Sequence, residues 1–432
     1  KQLIKFSIPF LISNLIQTLY SVADMVIVGR YASTTSMSGV ANGSQVQFVI
    51  TNMVMGFTVG GTVLVAQYLG IGNRKAMKET IRTLLVIAVV ITTLMIFTMD
   101  PLLKLIQTPA EAFFETRAYF FVTTLGTIFI FGYNALSAVM RGMGDSKNPL
   151  YFVAIACVTN IILDLLLVAK YGMGAEGAAI ATVISQAVSM ILCIIYLKKN
   201  GFIFDFKLSS FKFYKDRFDL LLKIGIPTSA QNAIVSVSFL FLIALANTFG
   251  VSASAAVGAV SKLNSFAILP TVAVSASVSA MSAQNIGARQ IRRAVQTLKT
   301  GIIFSLAISF IIFLFMRIFP EDCLSMFGED KEMIKCGVEY LSAISYDYLL
   351  VPFVFCLNGL FIGAGHTKFS FINSASASLF IRIPACYFLG VFLNKGLYGL
   401  GLGAPLASMF GVIMGVVFFL SKKWMRAVIV KE

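Results

Sequence analysis

The sequence predicts an all-α polytopic membrane protein, with twelve transmembrane helices in two six-helix bundles related by a pseudo-twofold axis. Three observations carry this expectation. Hydrophobic residues fill 58% of 432 positions, charged residues only 12%, and the mean hydropathy is +0.88, more apolar surface than a water-soluble chain of this length hides in one core. Twelve apolar stretches approach or exceed the roughly 20 residues that a helix needs to cross the hydrocarbon layer. The two halves of the chain also repeat one another's punctuation.

The expected spans are 5–30, 40–69, 82–99, 116–140, 150–169 and 177–197 in the first half. In the second they are 221–248, 255–284, 299–318, 337–361, 370–393 and 402–421. The runs are apolar on every face, whereas a transmembrane barrel strand alternates apolar and polar residues. The first run holds Pro9 and Asp24 and lacks a small-residue cleavage site after a short apolar core, so it reads as helix 1 rather than a removable signal peptide. The sequence starts at Lys1 rather than Met, and a few leading residues are expected ahead of it.

Charge sets the orientation. With the N-terminus in the cytoplasm, inner segments carry 24 of the 34 Lys and Arg residues and outer segments carry 8. This bias matches the positive-inside rule, and the opposite topology inverts it. Both termini are therefore expected in the cytoplasm of a bacterial-type inner membrane, with the net charge of +15 serving topology and lipid headgroups rather than nucleic acid. The acidic group Glu321, Asp322, Glu329, Asp330 and Glu332 reads as a solvated outer cap.

Residues 201–219 form the longest hydrophilic interval and divide an N-terminal lobe, 1–200, from a C-terminal lobe, 220–432. Lys5-x-x-Ile8-Pro9 with Asn14 returns as Lys223-x-x-Ile226-Pro227 with Asn232, an offset of 218. Ala66-Gln67-x-x-Gly70 returns at 217, Gly142-x-Gly144-x-x-Lys147 at 221, and Tyr171-Gly172-Met173-Gly174 at 227 as Tyr398-Gly399-Leu400-Gly401. Six helices per repeat, an even number, give both halves the same orientation and place the symmetry axis along the membrane normal, a transporter-like plan.

Ionisable groups inside hydrocarbon cost at least about 2.5–3.5 kcal/mol each and call for a functional account. Asp24, Asp164, Lys262, Asp347 and Arg382 fall within the spans. Asp24 lies fifteen residues after Pro9 and Asp164 fifteen after Pro149, so both carboxylates sit about 22 Å past their inner prolines. Asn160, one turn before Asp164, shares its face, and Thr182 reaches a comparable depth from the outside. Such hard oxygen ligands suit a small cation such as sodium, and two carboxylates sharing a low-dielectric site also favour holding a proton between them. The blander reading has both acids capping or pairing locally. Gln17 and Tyr119 are candidate hydrogen-bonding neighbours or ordinary interface polarity. In the second half, Asp347 either compensates Lys262 or Arg382 or contacts a substrate.

The six cysteines are scattered and the one histidine, His366, lies beside Gly365. Neither a metal cluster nor an enzymatic nucleophile–base constellation is expected, and the chain is read as a monomer without cofactor. His366 reads as a solvated loop residue.

These residues together resemble the multidrug and toxic compound extrusion (MATE) family over essentially the whole chain. The resemblance rests on Ile8-Pro9 with Ala23-Asp24-Met25-Val26, Ala66-Gln67-Tyr68-Leu69-Gly70, Arg141-Gly142-Met143-Gly144-Asp145-Ser146-Lys147 and Asn160-Ile161-Ile162-Leu163-Asp164. It implies an antiporter that exchanges protons or sodium for amphipathic, often cationic, drugs by alternating access between two lobes, with helix 1 bending near Pro9. The branch resembling the DNA-damage-inducible type implies a cation-coupling site at Asp24, Asn160, Asp164 and Thr182. The norfloxacin-exporter branch carries an acid on helix 7 that this sequence lacks, and Asp347 is about a turn from that branch's acid on helix 10. The alternative function is a flippase for a lipid-linked oligosaccharide or peptidoglycan precursor. Basic residues would line its cavity, and Lys262 and Arg382 keep it open.

Overall fold

The computed structural model describes residues 2–32, 40, 51, 55–105, 110–201, 212–328 and 330–425. The first half comprises α1 (Gln2–Tyr31), α2 (55–70), α3 (Arg74–Leu105), α4 (Ala110–Gly142), α5 (Lys147–Asp164) with a π-helical continuation (Leu165–Lys170), and α6 (Gly174–Lys199). The second half starts with α7 (Lys215–Asn247), α8 (Val251–Gly287), α9 (Ile291–Ile318) and a short α10 (Pro320–Ser325). Next come α11 (Lys331–Ile344) and α12 (Asp347–Gly363). The chain then runs through α13 (Thr367–Ser376), a π segment (Ala377–Arg382), α14 (Ile383–Tyr387), a second π segment (Phe388–Phe392), α15 (Gly396–Gly401) and α16 (Gly403–Leu420).

Among the described residues ten helices are long and apolar enough to span a membrane, and α11 with α12, meeting at 48°, forms an eleventh span broken in the middle. The second expected span is described as helix over 55–70; 41–50 and 52–54 of it lie outside the described residues. Where sequence periodicity predicts smooth helices, the structure places a bend before Asp347 and π turns after Asp164 and before Ile383. The α1 helix continues through Pro9 without interruption, and the Ser13 hydroxyl donates to the Pro9 carbonyl at 2.9 Å.

Two compact units emerge. One is Ile8–Ile226; the other is Pro227–Glu432 together with Lys1–Ser7. The divisions fall inside α1 and α7, beside the two repeated Ile-Pro steps. The expected linker, 201–219, has 202–211 outside the described residues, and the start of α7 packs with the first unit for a clear reason. Arg217 pairs with the Glu79 carboxylate at 3.0 Å, donates to the Tyr68 hydroxyl at 2.7 Å and lies 5.2 Å from that ring's centroid. Arg82 donates to the Tyr214 hydroxyl at 3.1 Å. Further along α7, a Cβ on Gly225 would sit 3.1 Å from the Gly56 backbone, so α2 and α7 approach backbone to backbone, as small residues allow in membrane packing.

The repeated Gly-x-Gly motif has one local cause in both units. Gly144 and Gly365 have φ of 92° and 87°, left-handed values that Gly adopts without steric cost. Gly142 and Gly363 instead press on a neighbouring backbone: a Cβ at Gly142 would lie 2.8 Å from the Thr62 carbonyl oxygen, and one at Gly363 would strike the Ser279 carbonyl. Asp145, inside the first copy, accepts from the backbone N–H groups of Lys147 and Asn148 at 3.1 Å each and from the Asn148 amide at 2.8 Å. It organises the start of α5. His366 stands at the start of α13 with its ring edge against Phe418, centroids 5.6 Å apart, half-buried rather than a solvated loop residue. All six cysteines are free, Cys323 and Cys336 included.

These contacts predict that Gly142→Ala and Gly363→Ala each cost about 1–3 kcal/mol, the range for overpacking, and lower the melting temperature of the detergent-solubilised protein. Gly258→Ala is the control: nothing lies within 4 Å of its added Cβ, and the better helix propensity of Ala should leave the melting temperature unchanged or raised.

Candidate functional site

Besides the buried Thr and Ser residues of α3 and α4, the first unit places acidic and amide side chains on α1, α5 and α6. Their helices meet through small and branched residues. Ile27 and Val28 of α1, Tyr119 of α4, Val168 after α5, and Ala175, Ala178 and Ala179 of α6 form one buried cluster. Three alanines on one stripe let α6 come close, and Gly126 of α4 has no room for a Cβ against Val183, which follows Thr182. The polar residues sit about one turn inward from this cluster.

Asp24 and Asp164 lie within electrostatic reach of each other and of the Tyr20 hydroxyl, and Gln186 sits beside that hydroxyl. Asn160 and Asp164 are fully buried, and Thr182 is 9% exposed. The unusual feature is what these groups lack. Asp24 Oδ1, both Asp164 oxygens, both polar atoms of the Asn160 amide, Thr182 Oγ1 and Gln186 Oε1 are buried with no hydrogen-bond partner among the described residues. Each such group costs about 1–3 kcal/mol unless something bonds it. An unmet set this large, mostly acceptors, on three adjacent helices is complementary to a cation or to protons.

The backbone contributes as well. Asp164 is the last residue of α5 before the helix widens into the π turns of Leu165–Lys170. Such insertions concentrate at functional sites because they re-aim side chains and disturb the regular ladder. Tyr20 and Gln186 were not among the residues singled out from sequence. Their signal is the one-turn spacing, Tyr20 four before Asp24 and Gln186 four after Thr182, which puts each on the face of a predicted ligand. Gln17 is half-buried, a turn before Tyr20, and Tyr119 belongs to the apolar cluster with Ile27 and Val28.

The second-half charges separate into two groups. Lys262, on α8, is exposed. Asp347, 5% exposed, and Arg382 lie within electrostatic reach of one another, so of the two expected partners the structure puts Arg382 beside Asp347. Arg382 Nη1 donates to the Ser238 hydroxyl at 2.9 Å, and its guanidinium stands 4.6 Å from the Phe239 centroid.

Comparison with known proteins gives a consistent result. The family model described as MatE matches twice, over residues 9–166 and 227–388, so the two matches begin at the paired prolines, Pro9 and Pro227. A probable multidrug resistance protein of Bacillus subtilis, YoeA, is 27% identical over 421 residues, covering 95% of this chain and 91% of its own. An FAD transporter of Shewanella oneidensis is 24% identical over 439 residues, covering 96% and 92%. Among solved structures, an outward-facing multidrug resistance MATE family transporter superposes with a TM-score of 0.90 at 22% identity, over 98% of this chain and 95% of that one.

The unmet acceptors predict a trade of stability for binding. Asp164→Leu, which removes both unpartnered oxygens, should melt higher than the parent in sodium-free buffer at neutral pH, by about 1–3 kcal/mol of relieved desolvation. Ligand at 100 times its dissociation constant stabilises by about 2.7 kcal/mol, and the variant should lose whatever stabilisation sodium or acid gives the parent. A variant that melts like the parent and responds like it to both would remove the residue from the site.

Proposed function

This chain belongs to the MatE family and is accordingly a multi-pass membrane transporter rather than an enzyme, and we propose that it exports amphipathic, cationic organic compounds in exchange for protons or sodium by alternating access. The observation that carries the reading is the set of unpartnered buried oxygens contributed by Asp24, Asn160, Asp164 and Thr182. A structural role alone leaves them costly. Binding a coupling cation in one conformation and releasing it in another gives their cost a use, because an ion shifts a two-state equilibrium only through its differential affinity for the two states.

In this reading Asp24 and Asp164 supply the negative charge, Asn160 and Thr182 supply neutral oxygens, and Tyr20 and Gln186 stand beside the carboxylates. The bare site then draws in either a proton or a sodium ion. The names of the relatives, multidrug resistance proteins in the main, support organic substrates, and the FAD transporter among them places substrate choice outside the shared fold. The charge distribution supports a cytoplasmic membrane with both termini inside. The flippase alternative draws less support, because Lys262 is exposed and Arg382 has an acid, Asp347, within electrostatic reach.

Efflux of a cationic dye from vesicles with imposed proton and sodium gradients tests the proposal. Asp24→Asn and Asp164→Asn should each reduce gradient-driven efflux at least about tenfold, the effect of losing about 1.4 kcal/mol of coupling, while dye binding persists. Efflux driven by only one gradient names the ion. Parent-level efflux in both variants refutes the coupling role.

A further inference from the structure

The internal repeat allows the two units to be compared position by position. The offset of 218 carries Tyr20 to Ser238 and Asp24 to Leu242; the offset of 221 carries Ile161 to Arg382 and Asp164 to Ala385. Both acids of the first unit are thus replaced in the second by apolar residues, and Leu242 is 1% exposed in the unit's core. In the same region the second unit holds a fixed cation, Arg382. Its charge makes a second small-cation site at these positions unfavourable.

Arg382 is built in rather than incidental. It ends the π segment Ala377–Arg382, its Nη1 is bonded to Ser238 at 2.9 Å, and Ser238 is itself fully buried and held to the Val235 carbonyl at 2.8 Å. Phe239 covers one face. The remaining edge is open: among the described residues Nε is buried without a partner, and the hydrogen bond of the guanidinium runs from Nη1. Asp347, the first residue of α12 after the 48° break, is close enough to act on the guanidinium electrostatically yet lies beyond ion-pair distance of it, and its Oδ1 is also buried without a partner. Arg382 and Asp347 therefore neutralise one another at a distance, and each keeps hydrogen-bonding capacity unspent.

We propose that Arg382, with Ser238 and Phe239, forms a recognition subsite in the second unit for the carboxylate of an amphipathic substrate, with Asp347 as the counter-charge that such a carboxylate displaces. The chemistry follows from the side chain. The Nε–Nη2 edge of arginine is a planar two-donor fork that matches a carboxylate bidentately, and an aromatic floor beside it suits the ring to which such a carboxylate is attached. Asp347 opposes the ligand by like charge, so the two residues act on carboxylate binding with opposite sign. The inference rests on the transport reading for its biological sense, and its test is read by binding alone.

Purified full-length protein in nanodiscs is titrated with two rhodamine dyes, one carrying a free benzoate carboxylate and the other its ethyl ester, and binding is followed by fluorescence polarisation. The quantity read is the ratio of ester to acid dissociation constants. Arg382→Gln should lower this ratio about tenfold, the size of one lost charge-assisted hydrogen bond. Arg382→Lys should retain part of it, and Asp347→Asn should raise it. A purely structural role gives no reason for opposite shifts from the two residues. An unchanged ratio in Arg382→Gln, a shift of the same sign in Arg382→Gln and Asp347→Asn, or failure of the parent to bind the acid form overturns the subsite. Should Arg382→Gln fail to fold, the Arg382→Lys and Asp347→Asn pair decides by the same signs. Loss of export with these shifts intact counts against the export reading alone.

Discussion

Hydrocarbon offers no hydrogen bond to an oxygen or nitrogen placed within it, so every polar group in a spanning segment must find a partner in the protein or remain costly. Most of this chain obeys. The Ser and Thr hydroxyls of the spanning helices bond back to carbonyls a turn earlier, as at Ser7, Thr18, Thr80, Thr92 and Thr127, and others tie helix to helix, as Thr62 does to the Ala138 carbonyl and Ser275 to that of Phe355. Against that background the unpartnered atoms of Asp24, Asn160, Asp164, Thr182 and Gln186 form a coherent exception. Other buried polar atoms also lack partners, among them those of Thr124, Ser137, Asn264, Asn358 and Arg382, but this group stands out because it holds both acids that fall within the first unit's expected spans.

The backbone is irregular beside three of the intramembrane charges. Asp164 precedes one π segment, Arg382 ends another, and Asp347 follows the bend between α11 and α12. A further π segment, Phe388–Phe392, carries no charge. Widened and broken helices re-aim side chains and loosen the local hydrogen-bond ladder, which allows a charged group to point into the protein instead of lying in line with its helix. The two units share this device while differing in what they present: carboxylates and neutral oxygens in the first, a guanidinium with a separated carboxylate in the second. Duplication kept the scaffold, and the repeated glycines show how. Gly142 and Gly363 sustain the same close helix crossing, and Gly144 and Gly365 the same left-handed turn.

The sequence by itself determined the class of fold, because composition and run length are properties of local stretches and lipid selects on them directly. It also determined the duplication, since Ile8-Pro9 and Ile226-Pro227 or the two Gly-x-Gly motifs serve steric needs that only those residues meet. It reached Asp24, Asn160, Asp164 and Thr182 because a charge in an apolar run stands out and because matched depth can be counted along a helix. Tyr20 and Gln186 escaped notice, for a tyrosine or glutamine in a span is ordinary until its neighbours across the helix interface are known. Tertiary structure decided the rest. The start of α7 packs with the first unit through Arg217 and Gly225, the tenth span breaks before Asp347, and Arg382 rather than Lys262 stands beside that acid. Each of these depends on which side chains meet across helices distant in the chain, and a one-dimensional pattern holds no record of that meeting.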